Sequence, residues 1–497
     1  MSGEWLGTAD RASPWSRLRV VVAGLGVSGY AAADALMQRG ARVTVLDDAD
    51  GEKQRERATI LEILDVVVRL GPGSTSAIPE GTDLLVVSPG WRPTAPLVVA
   101  ARRAGIPIWG EVELAWRLRD PAVPWRGVTG TNGKTTTVRM LGEMLSAGGK
   151  RAAVAGNVGD PVVSAVTDPI ERDVVVVELS SFQLHWTSSL RMESAAVLNV
   201  AADHLDWHGS FAAYTAAKAR VYAGNRVACV YNVDDPLTEQ LVRDADVEEG
   251  ARAIGFTTGV PAVGHLGVVD RILADRAFIR ERQTTALELA HVDEVRPAGP
   301  HNVANALAAA ALALSTGVDP TAIGAGLRNF VAEPHRLATV QTLQGVEYVD
   351  DSKATNTHAA LASLRAFESV VWIAGGLAKG ATFDDLVIAV RDRLRAVVLI
   401  GADRGLIADA LRRHAPDVPV IDASATHNLH MTGSDMGQGE TRDQDTVMSD
   451  VVAAAARLAH RGDTVLLAPA CASMDMFADY GVRGDAFAAA VRRHGRH

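Results

Sequence analysis

Apolar runs of about four to seven residues alternate along the chain with stretches of about ten to fifteen in which apolar positions return at helical spacing, the pattern that βαβ units and parallel sheets produce. The fold class is therefore α/β. Leu18 to Ala23 reads as a strand, Ser28 to Arg39 as a helix stopped by Gly40, and Arg42 to Leu46 as the next strand, with further strands at Asp65 to Arg69 and Asp83 to Val87. The proline-punctuated stretch Arg119 to Trp125 reads as a linker. A second module opens with a short strand near Gly127 and a helix from Lys134 to Ala147; it continues with the strands Asp173 to Leu179 and Ala195 to Val200 and the helices Phe211 to Ala223 and Asn302 to Ser315. The valines at 174 to 177 are apolar on both faces, which a central parallel strand requires. Pro334 marks a second linker over Val331 to Arg336. The last module has strands at Val346 to Val349, Val370 to Ala374, Ala396 to Ile400 and Thr464 to Leu467, and a helix after Asn356. Three domains are expected, over residues 1–123, 124–333 and 334–497: an N-terminal Rossmann-like module, a central one like the P-loop ATPases, and a second Rossmann-like module. A polar stretch from Thr426 to Met448 reads as a mobile insertion.

At 497 residues the chain exceeds what one core supports. Its 48% hydrophobic and 22% charged residues are ordinary for a globular protein, and no apolar run is long enough for a membrane span. A soluble, cytoplasmic protein without membrane insertion is expected, since Met1 to Arg19 lacks the layout of a secretory signal. The formal net charge of -10 and the lack of a basic run with interleaved aromatics argue against a nucleic-acid partner. Cys229 and Cys471, far apart, read as buried small residues and not as a disulfide or zinc site.

Candidate chemistry gathers at strand ends. Gly130-Thr131-Asn132-Gly133-Lys134-Thr135-Thr136 sits between strand and helix. The usual phosphate loop would have its first glycine at position 128, which is a valine. The physics survives that departure: backbone amides, the Lys134 cation and the helix start converge on phosphate oxygens, and Thr135 offers a hydroxyl to Mg²⁺. ATP is the expected nucleotide. Glu178 ends the neighbouring strand, where such loops want a metal-holding acid. His204 follows another strand end together with Asp203, Asp206 and His208. In the first module, Gly24-Leu25-Gly26-Val27-Ser28-Gly29 with Asp47 at the next strand end matches a dinucleotide fingerprint, which says that a diphosphate is bound and leaves a nicotinamide-dependent oxidoreductase open.

In combination these pieces resemble the Mur ligase family over nearly the whole chain. The motifs are Gly130-Thr-Asn-Gly-Lys-Thr-Thr136, Val177-Glu-Leu-Ser-Ser-Phe-Gln-Leu184, Leu198-Asn-Val200, Asp203-His-Leu-Asp206, Tyr214-Thr-Ala-Ala-Lys218, Gly299-Pro-His-Asn302, His335-Arg336, Asp351-Ser-Lys-Ala-Thr-Asn356 and Ala468-Pro-Ala-Cys-Ala-Ser-Met-Asp475. The resemblance implies an ATP-dependent ligase that joins D-glutamate to UDP-N-acetylmuramoyl-L-alanine through an acyl phosphate. It implies that Lys218 reacts with CO₂ to form a carbamate, which with His204 and Glu178 holds a second Mg²⁺, the first being held by Thr135, Glu178 and ATP. Lys134, Glu178, His204 and Lys218 are then the catalytic set. Asn302, Arg336 and Asp351 are implied to position the nucleotide. Val27, Ser28, Asp47, Asp48, Ser88 and Asn157 are implied to bind the UDP-sugar, and Lys353, Thr355, Lys379, Ser473 and Tyr480 to bind D-glutamate. The fingerprint is thereby reassigned from a dinucleotide to a UDP-sugar. A monomer with small-molecule substrates is expected. Met1 to Ser16 and the Thr426 to Met448 insertion depart from the short family pattern. Another Mur ligase or a folylpolyglutamate-type ligase is the closest alternative.

Overall fold

The computed structural model describes residues 4–332, 334–423 and 444–496. They build three sheets. The first comprises β1 (Arg19–Ala23), β2 (Arg42–Asp47), β3 (Val67–Leu70), β4 (Leu84–Val87) and β5 (Ile108–Gly110), all parallel, in the order β3-β2-β1-β4-β5. β4 is buried along its whole length, hence its Leu/Val composition. The chain order reverses between β1 and β4, so the loops at Gly24 and Ser88 flank the crevice where doubly wound sheets bind ligands.

The second sheet contains β6 (Trp125–Thr129), β7 (Ala152–Gly156), β8 (Val174–Glu178), β9 (Ser194–Val197), β10 (Ala228–Asn232), β11 (Arg252–Phe256), β12 (His265–Val269), β13 (Ile272–Asp275) and β14 (Leu287–His291), in the order β14-β13-β12-β11-β10-β9-β6-β8-β7. It is parallel from β7 to β12 and antiparallel at the β13 and β14 edge. The third comprises β15 (Ala338–Leu343), β16 (Val346–Asp350), β17 (Val370–Gly375), β18 (Leu394–Ile400), β19 (Val420–Asp422) and β20 (Thr464–Leu467), in the order β15-β16-β20-β17-β18-β19, with only β15 antiparallel. The α/β class expected from the sequence is what is observed. The chain divides into two compact units: Met1–Val295 with Asn302–Phe330, which holds the first two sheets, and Arg296–His301 with Val331–His497, which holds the third.

Three expectations need correction. Trp125, assigned to a linker, begins β6 and is fully buried, edge-on to Trp116 at 5.2 Å, with its amide on Glu193 Oε2. Pro121 and Pro124 end just before the ladder starts, so they do not interrupt it. The helix beginning at Phe211 stops at Ala219, and Arg220–Tyr222 is a 3₁₀ turn. The expected insertion is shorter than its sequence suggests, because 444–448 belong to the helix Gln444–Leu458 and Met448 is buried. The rest of that stretch, like Glu333 of the second linker, lies outside the described residues. The N-terminal extension is part of the first core: Leu6 and Trp15 are buried, Trp15 meets Trp5 and Trp109 edge-on, and Arg117 donates to the Gly7 carbonyl at 2.8 Å. Both cysteines are buried and free, and burial pushes each thiol up to about 12, which suits inert small side chains.

Candidate active site

The loop Gly130 to Thr136 leaves the C-terminal end of β6 and enters the helix Lys134–Ala147. Gly133 has φ 85, and a Cβ there would sit 2.2 Å from Asn305 Oδ1, so the turn that aims the helix start admits only glycine. The segment after β9 clasps the loop. Asn199 accepts the Asn132 amide on Oδ1 (2.9 Å) and the Thr131 amide on its carbonyl (3.0 Å), and the Thr131 hydroxyl lies 2.9 Å from Tyr214 Oη. Lys134 Nζ folds back to donate to the carbonyls of Gly130 (2.9 Å) and Thr131 (3.0 Å). Thr135 and Thr136 are buried in the first turn. Asn302, also buried, accepts from Asn305 Nδ2 at 3.2 Å, and through Asn305 it reaches Gly133.

Lys218 meets the same loop from the helix Phe211–Ala219. It is fully buried, donates from Nζ to the Gly130 carbonyl at 2.7 Å, and lies 4.7 Å from the Tyr214 ring centroid. Burial, then the positive charge of Lys134, lowers its pKa well below that of an ordinary lysine, against the opposing pull of Asp203. Glu178 ends β8 in register with Val128 of β6, and it is 1% exposed. Its Oε1 accepts from Asn157 Nδ2 at 3.0 Å, while the buried Oε2 has no hydrogen-bond partner among the described residues. A buried carboxylate oxygen without a donor is the kind of group a cation satisfies. His204 occupies the left-handed region (φ 53), its ring packs on Phe182 at 4.7 Å, and its Nε2 is 3.6 Å from Asp203 Oδ2. Among the described residues no three His, Cys, Asp or Glu side chains form a metal-binding group.

In the first sheet, Val27 is exposed at the first position of the helix Val27–Met37 and Ser28 follows it. Asp47 Oδ2 accepts the Leu25 amide at 2.6 Å, so its direct work is to hold the glycine turn. Asp48 accepts from the Thr75 hydroxyl and amide, which hold its carboxyl below the usual range. Ser88 Oγ donates to the Gly24 carbonyl at 3.3 Å. Asn157, expected on the muramoyl side, donates from Nδ2 to Glu178 Oε1 at 3.0 Å.

In the second unit the loops after β16, β17 and β20 gather at adjacent strand ends. Lys353 Nζ lies 5.2 Å from the Tyr480 ring centroid, and the Thr355 amide donates to the Lys353 carbonyl. Ser473 is buried, and its carbonyl caps the turn to Phe477. Lys379 is exposed with φ 50, after the Leu377 to Ala472 bridge that joins two of these loops. Asp351 accepts from the Ser363 hydroxyl and the Leu337 amide, and burial raises its pKa to about 6, offset by the nearby Arg336. Sequence reasoning missed Arg483. Fully buried, it donates to Ser352 Oγ (2.9 Å), the Ser352 carbonyl (2.8 Å) and the Cys471 carbonyl (3.2 Å), and so ties the 351–356 loop to the 468–475 loop. Asn199 and Tyr214 were inside quoted motifs, yet nothing in their spacing marked them as loop clasps.

Family models match in chain order: a Mur ligase MurD-like N-terminal domain over 18–110, a Mur ligase middle domain over 128–313 and a Mur ligase glutamate ligase domain over 335–471. The UDP-N-acetylmuramoylalanine–D-glutamate ligase of Streptomyces coelicolor is 59% identical over 97% of this chain and 99% of its own. The chain belongs to the Mur ligase family. Relatives of the same name from Thermobifida fusca (54% identical, 95% of this chain, 98% of theirs) and Mycolicibacterium smegmatis (49%, 98% and 98%) agree. Solved structures share the Mur ligase fold at low identity. A pseudomurein peptide ligase type C from Methanothermus fervidus aligns with a TM-score of 0.56 at 17% identity, covering 96% of this chain and 100% of its own. UDP-N-acetylmuramate-alanine ligase from Thermotoga maritima gives 0.55 at 18%, covering 96% and 100%.

Proposed function

We infer that this chain is an ATP-dependent ligase that adds D-glutamate to UDP-N-acetylmuramoyl-L-alanine, a step of peptidoglycan precursor synthesis. The observation that carries the reading is identity of 49% or more, over 97% or more of this chain, to ligases of that name. A nicotinamide-dependent reading would use the first sheet alone and leave the 130–136 loop without a role.

In the reaction, the substrate carboxylate attacks the γ-phosphorus of ATP, giving an acyl phosphate and ADP. The amine of D-glutamate then attacks the acyl carbon, phosphate leaves, and the amine loses a proton. Backbone amides of residues 130–136, the start of the helix Lys134–Ala147 and Lys134 supply fixed positive charge where charge grows on the phosphoryl oxygens. For that, Lys134 leaves the loop carbonyls it now bridges. Asn302, Arg336 and Asp351 are proposed nucleotide contacts. Val27, Ser28, Asp47, Asp48, Ser88 and Asn157 are proposed to bind the UDP-sugar, and Lys353, Thr355, Lys379, Ser473 and Tyr480 to bind D-glutamate, whose two carboxylates suit two lysines.

Glu178 and Thr135 would hold one Mg²⁺, and Glu178, His204 and a carbamate on Lys218 a second. The orphaned Glu178 Oε2 fits such a group. When bound, the ions neutralise charge on the transferring phosphoryl oxygens. The depressed pKa of the buried lysine favours the neutral amine that adds to CO₂; loss of one proton leaves an anionic carbamate with two oxygens and one N–H for the Gly130 carbonyl. The division of labour follows 1–123, 124–333 and 334–497, in a cytoplasmic monomer. Mass spectrometry of the nucleotide product tests the reading: one added glutamyl residue is expected, and ATP consumption with no mass gain overturns it.

A further inference from the structure

At the N-terminal side of β5 and β9, away from the strand ends that carry the phosphate loop, lies a cavity of about 600 Å³ whose lining includes Arg102, Arg191, Arg220, His185, Trp186 and Ile108. Each arginine is held in place. Arg220 Nη1 donates to the carbonyls of Leu184, His185 and Thr187. Arg102 lies over the Trp186 ring at 5.7 Å. Arg191 donates to the Leu190 carbonyl at 2.7 Å, and its stem crosses Gly224 (φ 60), where a Cβ would come within 1.7 Å of Arg191 Cδ. No ion pair to an Asp or Glu of the described residues engages any of the three. In a chain of net charge -10 three arginines without a carboxylate partner among the described residues line this one cavity.

The bland account is that Arg102 and Arg220 end helices, where cations meet the negative end of the helix dipole. It leaves out Arg191, which belongs to no helix, and it does not explain why all three line one cavity. Their fields do converge: after burial, the charges of Arg220 and Arg102 help drive His185 down to about 4. His185 is thus neutral at pH 7 and adds a ring, not a charge. The chemistry missing from the site is a planar or tetrahedral oxyanion that several guanidinium forks can share.

We propose that this cavity binds a phosphorylated small molecule, its phosphate on Arg102, Arg191 and Arg220 and its apolar body against Ile108 and Trp186. Phosphate is favoured over a lone carboxylate because three guanidinium charges lining one cavity are balanced more nearly by a group carrying close to two negative charges than by one carrying a single charge.

Calorimetric titration with inorganic pyrophosphate, without divalent cations, tests this on wild type and on Arg102→Gln/Arg191→Gln. Both keep the phosphate loop, so any difference reports the cavity. Wild type is expected to take up one more pyrophosphate per chain than the variant, with about tenfold or greater loss of affinity at that site in the variant. Turnover in the absence of pyrophosphate should stay unchanged. Arg102→Lys/Arg191→Lys, which keeps the charge and loses the forks, should bind between the two and serves if the glutamine pair folds poorly. Superimposable titrations of wild type and both variants overturn the proposal, and so does succinate binding the cavity as tightly as pyrophosphate.

Discussion

Glu178 has one oxygen on Asn157 and the other facing no donor, so its orientation rests on a single side-chain hydrogen bond. Asn157→Ala removes that bond, at a cost of about 1–3 kcal/mol where the acceptor is charged; kcat is expected to fall about tenfold or more, while the melting temperature changes little. Unchanged kcat in steady-state assays would detach Asn157 from the metal-holding role proposed for Glu178. Lys218→Ala should abolish turnover with the fold intact by circular dichroism, and the wild-type enzyme should lose activity when dissolved CO₂ is rigorously excluded and regain it on adding bicarbonate. Activity indifferent to CO₂ contradicts the carbamate. Glu111 gives a pH prediction away from the site. Burial raises its pKa from 4.5 to about 7, and among the described residues its Oε2 has no partner, although Oε1 accepts the Val163 amide. The folded state therefore binds the proton more tightly than the unfolded chain, and the stability this brings is present below pH 4.5 and lost as pH rises through about 7. Glu111→Gln, which mimics the protonated form, should match wild type near the low end of that range and exceed it by about 3 kcal/mol above it. Equal denaturation midpoints at the high end would show that Glu111 carries no such penalty.

Loops, more than helices and strands, need cross-bracing at the scale of elements. Arg483 spans two of the loops proposed to hold D-glutamate and donates to three acceptors from full burial. Arg483→Lys keeps the charge and loses the planar fork, so KM for D-glutamate should rise about tenfold or more while KM for UDP-N-acetylmuramoyl-L-alanine stays put. Equal changes in both would point to general destabilisation. The helix Lys134–Ala147 was legible to the residue, because a glycine turn and an amphipathic run bound it, and the valine strand β8 was legible because it is buried on both faces. β7, an alanine- and glycine-rich strand, and the β12 to β14 edge, with its mixed polar residues and a bulge, lack either signal. Trp125 was misread because two prolines stand just before it, and Met448 because the polar run preceding it passes without a break into a helix start. That Glu178 ends a strand and that His204 follows another was readable from the apolar runs before them. Arg483, in the first turn of the helix Tyr480–His494 and hydrogen-bonded to backbone carbonyls of distant loops, carries no sequence pattern that announces it.

At the scale of the whole molecule, three sheets each turn strand ends toward a candidate ligand group, and the family assignment gives those groups one reaction: ATP, a UDP-linked carboxylate and an amino acid joined with release of ADP and phosphate. The fold is shared with sister ligases of other names at under 20% identity, so it does not choose among them. What separates them is substrate dependence. The decisive measurement is phosphate release in a panel that omits one component at a time and swaps the amino acid. The account predicts release only when ATP, Mg²⁺, UDP-N-acetylmuramoyl-L-alanine and D-glutamate are all present; release that persists without D-glutamate, or that L-glutamate supports equally well, would contradict it.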